Sequence, residues 1–155
     1  MRRTRNIFFV GLFILLFAAA GSAFAHHFLS FDGAEFQGTV TQVSPAETTP
    51  VTSTPTVTIQ FASGTTECGT MTVTPSGGTA TTYNFSAILD GNLLRLVAVP
   101  QGGGTPSYLV NGTIVCAFGS WHQHGQKTAS LLFQATSLSD GSLLEGTLTQ
   151  QTTSS

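Results

Sequence analysis

The chain has 155 residues, charged side chains make up 8% of it, and the formal net charge is −2. An average domain carries about 25% charged residues, so Thr, Ser, Gly and Gln do the solubilising here. With so few cations, nothing can neutralise a phosphate backbone or an anionic bilayer, which argues against nucleic-acid binding.

The chain opens with the three regions of a secretory signal, residues 1–25. Arg2, Arg3 and Arg5 form a basic start, Ile7 to Ala20 is an apolar run, and Ala23-Phe24-Ala25 offers small residues for cleavage. The alternative is an uncleaved anchor, since about nineteen residues just cross a bilayer. Gly11, Gly21 and the alanine-rich end favour cleavage and a secreted or periplasmic product with no membrane span. Removal of the leader leaves Arg95 and Lys127 against seven acids.

Residues 26–155 read as one all-β domain. Apolar residues alternate at period two and nowhere recur at helical spacing. Val57, Ile59 and Phe61 share one face of a strand over 56–61, followed by Met71 and Val73 over 70–74. Tyr83, Phe85, Ala87 and Leu89 line up over 82–89, Ala129, Leu131, Phe133 and Ala135 over 129–135, and Leu144, Gly146 and Leu148 near the end. Leu93 to Val99 is apolar on both faces except for Arg95, as in a central strand or a ligand-facing wall.

Asp32-Gly33, Asp90-Gly91 and Asp140-Gly141 are hairpin turn pairs. Asn111-Gly112 either turns a hairpin or lies within one strand carrying Tyr108, Val110, Ile114, Cys116 and Phe118 on its inner face. Residues 45–55, with Pro45, Pro50 and Pro55, form a Pro/Thr-rich loop, and 151–155 a frayed tail.

About eight or nine strands joined by short hairpins predict an antiparallel up-and-down meander closing into a small barrel, with a β-sandwich as the alternative. Cys68 and Cys116 are the only cysteines. In an oxidising compartment they are expected to form one disulfide, worth about 4 kcal/mol for a loop of this length. Two reduced core thiols are the other reading.

The unusual chemistry lies in four histidines. His26 and His27 would begin the mature chain, where a free α-amino group beside an imidazole chelates copper. His122 and His124 flank Gln123, and an extended His-x-His places both rings on one side. The set His26, His27, His122 and His124 is thus a candidate copper or zinc site. Against it, Gly, Ser, Gln and His also make an ordinary polar loop. Trp121 beside them reads as a barrel-end plug.

No nucleophile elbow surrounds Ser120, and Gly102-Gly103-Gly104 lacks the helix and lysine of a phosphate loop. Three expectations follow: an exported, non-enzymatic barrel that binds a small ligand inside or at its mouth without a cofactor; a metal-binding protein; or a surface-assembly protein whose threonine-rich strands pair at their edges.

Overall fold

A computed structural model describes residues 31–45, 49–116 and 129–151. The strands are β1 (Glu35–Ser44), β2 (Val51–Ser53), β3 (Thr56–Phe61), β4 (Cys68–Thr74), β5 (Thr81–Asp90), β6 (Leu93–Pro100), β7 (Tyr108–Cys116), β8 (Ala129–Ser137) and β9 (Leu143–Gln151). Among the described residues there is no helix.

All pairings are antiparallel and run in the order β2-β1-β3-β4-β5-β6-β7-β8-β9, with β1 also paired to β9. That last pairing closes eight strands into a barrel, and β2 is the extra one. It falls within the Pro/Thr-rich loop and pairs Gln42 with Ser53 in the register that joins Thr39 to Thr56. β2 is therefore β3 carried past a break at Thr54-Pro55. Proline has no N–H for the ladder, but its carbonyl still accepts from Val40 N at 2.9 Å.

The alternation seen in the sequence sorts inside from outside. Phe36, Val57, Ile59, Met71, Leu94, Leu131, Leu144 and Leu148 are all buried within the barrel. Four phenylalanines, Phe31, Phe36, Phe61 and Phe85, follow one another with ring centroids 5.5–6.4 Å apart, tilted or edge to face. Phe31 precedes β1 and seals the end where β1 begins, called the lower end below. Fitting Phe85 inside requires glycine opposite it. A Cβ on Gly69 would lie 2.7 Å from the Phe85 ring and 2.0 Å from the Gln60 carbonyl oxygen.

Several turns differ from their expected form. The β5–β6 hairpin turns on Gly91-Asn92, since Asp90 pairs with Leu93; only Gly91 has positive φ, as the first position of a type II′ turn requires. The Asp140-Gly141 turn takes five residues, Leu138 to Ser142, and Asp32-Gly33 forms a turn leading into β1. Asn111-Gly112 lies inside β7, where Asn111 pairs with Arg95 and Gln134.

The expected disulfide is not formed: both cysteines are free. Cys68 begins β4 and Cys116 ends β7, with β5 and β6 between them. Three strand spacings of about 4.8 Å put them roughly 14 Å apart around the wall, whereas bridged Cα atoms lie within about 7 Å. The two also face opposite ways. Cys68 is exposed and alternates with the outward Thr70 and Thr72, while Cys116 shares the inner face of Ile114.

Candidate functional site: a filled barrel with a two-sided wall

The four histidines His26, His27, His122 and His124, with Trp121, lie outside the described residues. Among the described residues no cluster of three or more His, Cys, Asp or Glu could hold a metal ion. The remaining places for chemistry are the interior, the upper rim and the outer wall.

The interior is occupied by the protein itself. Phe36, Val57, Ile59, Met71, Leu94 and Leu131 have 0% exposure, and their rings and branches fill the axis as side chains do in small eight-stranded barrels.

The upper rim, where β1 ends, carries the polar residues. Tyr83 on β5 and Tyr108 on β7 meet edge to face at 5.1 Å across β6, whose inward residues there are Ala98 and Pro100. Burial, and then the Tyr83 phenol with its hydrogen bond and the Asp140 carboxylate, push the Tyr108 hydroxyl up to about 12. Asp140 is held below the usual carboxylate range by hydrogen bonds from the Ser137 and Ser142 hydroxyls and the Ser142 N–H.

The donors on this rim can be followed one by one. Ser142 Oγ donates to Asp140 Oδ2 at 2.7 Å and lies 2.9 Å from Ser44 Oγ. A hydroxyl has one proton, so Ser44 must donate to Ser142. The chain Ser44 to Ser142 to Asp140 ties β1 to the β8–β9 turn. Among the described residues no buried side-chain nitrogen or oxygen lacks a partner. Among the described residues the rim thus holds a phenol, a carboxylate and serines joined by hydrogen bonds, with no buried side-chain polar atom left unpaired.

Asp32 has a similar local job at the lower end. Its Oδ1 accepts from the Gly64 N–H and joins the turn before β1 to the β3–β4 loop.

The outer wall has two halves. Over β1, β3 and β4 its outward residues include Thr39, Thr41, Thr56, Thr58, Thr70 and Thr72, with Thr72 and Thr82 hydroxyls 3.1 Å apart. Over β5 to β8 aliphatic side chains stand in water: Ile88 is 71% exposed, Leu132 49%, Leu93 45%, Leu109 44% and Val97 38%. Shallow concavities run along this half. One is lined by Ile88, Val97, Leu109 and Asn111, another by Leu93, Thr113, Leu132 and Gln134.

A single polar row crosses the aliphatic half. Following the ladders, Arg95 pairs with Asn111, Asn111 with Gln134, and Gln134 with Glu145. Above it Val97 pairs with Leu109, and below it Leu93 pairs with Thr113 and Thr113 with Leu132. Arg95 is the one basic residue among the described residues. The sequence signalled this place through the doubly apolar Leu93 to Val99 segment. Its outward residues Leu93, Arg95 and Val97 belong to the wall, and its inward residues Leu94, Leu96 and Ala98 to the core.

No family model, no curated protein and no solved structure matches the chain.

Proposed function

We propose that the chain is an exported, non-enzymatic accessory protein that works by surface recognition, through the aliphatic outer wall of β5 to β8. The observation that carries this reading is where the unsatisfied surface lies. Among the described residues the interior side chains are buried and the buried rim groups are hydrogen-bonded, whereas Ile88, Leu93, Val97, Leu109 and Leu132 are held in water by the sheet. Adjacent exposed apolar residues on a folded domain mark contact sites more often than chance exposure does. The expected small ligand within the barrel gives way, in this reading, to a partner lying against its side.

The distribution also supports a water-facing barrel. A membrane-spanning barrel carries an apolar band right round its outside and a polar lumen. Here the interior is apolar, and the outside over β1, β3 and β4 is mostly polar, with Val43 near the end of β1 the aliphatic exception.

A photo-crosslinking amino acid placed at Val97, with Thr58 as the control on the threonine half, tests this in the producing cell. The expected outcome is a discrete adduct from position 97 and none from position 58. Equal labelling from both positions, or none from either, would refute it.

A further inference from the structure

The polar row across the aliphatic wall runs in order from a cation to an anion. Arg95, Asn111, Gln134 and Glu145 occupy consecutive strands β6, β7, β8 and β9 at one level. The cation stands at one end, the anion at the other, and two carboxamides lie between. At about 4.8 Å per strand the charged ends are roughly 14 Å apart around the convex wall, too far to serve each other comfortably.

We infer that this wall binds a second copy of the same chain, about a two-fold axis that runs along the strands between β7 and β8. This rests on the outer-wall reading above and names its partner. Such an axis reverses the row from left to right and leaves height along the strands unchanged. It sets Arg95 of one copy opposite Glu145 of the other, twice, and Asn111 opposite Gln134, twice. In the row above, Val97 then faces Leu143 and Leu109 faces Thr136.

The surface is therefore complementary to itself, as a two-fold dimer requires. An axis across the strands would place Arg95 on Arg95 and Glu145 on Glu145, so the charges select one geometry. The shape agrees with this. Asn111, the shortest of the four, sits where convex walls touch, while the long Arg95 side chain stands at the flank where the walls diverge. Aligned strand directions are also a normal way for two sheets to pack.

The test is sedimentation velocity of the purified exported protein over a concentration series, with Arg95→Glu, Glu145→Arg and the double swap. Each single reversal turns both flanking pairs into like charges and is expected to weaken dimerisation at least about 10-fold. The double swap restores opposite pairs and should return the affinity to near that of the parent. Both positions of change are solvent-exposed, and circular dichroism checks the fold.

A second measurement needs no variant of the row: the Val97 crosslink should yield an adduct of two copies. A parent protein that stays monomeric throughout overturns the inference, as do single reversals that dimerise as tightly as the parent. If the protein is monomeric yet position 97 captures some other molecule, self-association fails and the outer-wall reading survives. If it is monomeric and position 97 captures nothing, both fail.

Discussion

The threonine half and the aliphatic half of the wall are built on one ladder, yet they meet water differently. On β3 and β4 the outward positions include Thr56, Thr58, Thr70 and Thr72, all β-branched and suited to a strand. On β6 and β7 the same kind of position holds Leu93, Val97, Leu109 and Val115. Both sets form regular strands, and the threonine set has if anything the higher strand propensity, so propensity does not explain the difference. What distinguishes the halves is solvation: threonine makes a strand that is complete when wet, and valine or leucine makes one whose outer face remains to be covered.

The comparison assumes that both walls rest on one core, and large-to-small substitutions inside test that assumption most severely. Phe133→Ala removes a buried ring behind the aliphatic half, and Met71→Ala a side chain behind the threonine half. Losses of about 3–5 and about 2–5 kcal/mol are expected, read from urea unfolding followed by circular dichroism. Each variant should unfold in one transition. If Met71→Ala melted only the threonine half and left a second transition, the barrel would hold two cores.

A smaller effect separates the rims from the walls. Tyr108 in the folded protein ionises near about 12, above the ordinary value of 10.0. Between those values the unfolded chain loses this proton while the folded chain keeps it, so stability should fall as pH rises from about 10 to 12 and be unaffected by this group below 10. Tyr83→Phe removes the neighbouring phenol and its hydrogen bond, so the Tyr108 transition in ultraviolet absorbance should move down. A transition at the same pH in this variant would show that the Tyr83 phenol adds nothing to burial and the Asp140 carboxylate.

The smallest expected effect on stability addresses the comparison most directly. Val97→Thr and Leu109→Thr extend the threonine surface onto the aliphatic half. Surface changes of this kind alter unfolding free energy by about 0.5 kcal/mol or less, while association through this wall should be lost. A stability loss several times larger would mean that these side chains support the fold of a single copy.

Much of the inner face was legible in the sequence, because β3, β4, β5, β8 and β9 alternate cleanly and each reports its inward set without knowledge of its neighbours. β1 was passed over for a physical reason. Between Phe36 and Val40 its inner position is Gly38, where a Cβ would lie 2.4 Å from the Thr147 carbonyl oxygen, so close packing of β1 on β9 has removed the middle of the pattern. The closure itself, Glu35 with Gln151 and Val43 with Leu143, joins residues at opposite ends of the domain, and no local periodicity encodes such a pairing.

The cysteines mislead for the same reason. Composition and compartment suggest a bridge between Cys68 and Cys116, but only strand order reveals two intervening strands. The aliphatic wall was half visible: the doubly apolar Leu93 to Val99 segment gave notice of it. Its polar row was not, because Arg95, Asn111, Gln134 and Glu145 become neighbours only when four strands are set in register.

The pairing of Glu35 with Gln151 has a consequence for how the domain could be rewired. It brings the first strand and the last to the same end of the barrel, side by side. A short linker from Gln151 to Phe31 would join them, and the chain could then be opened at the exposed residues 101–106 between β6 and β7. Every ladder would survive such a circular permutation, since a closed ring of strands has no intrinsic beginning. For this barrel, the order in which the strands are synthesised is separable from the shape they make.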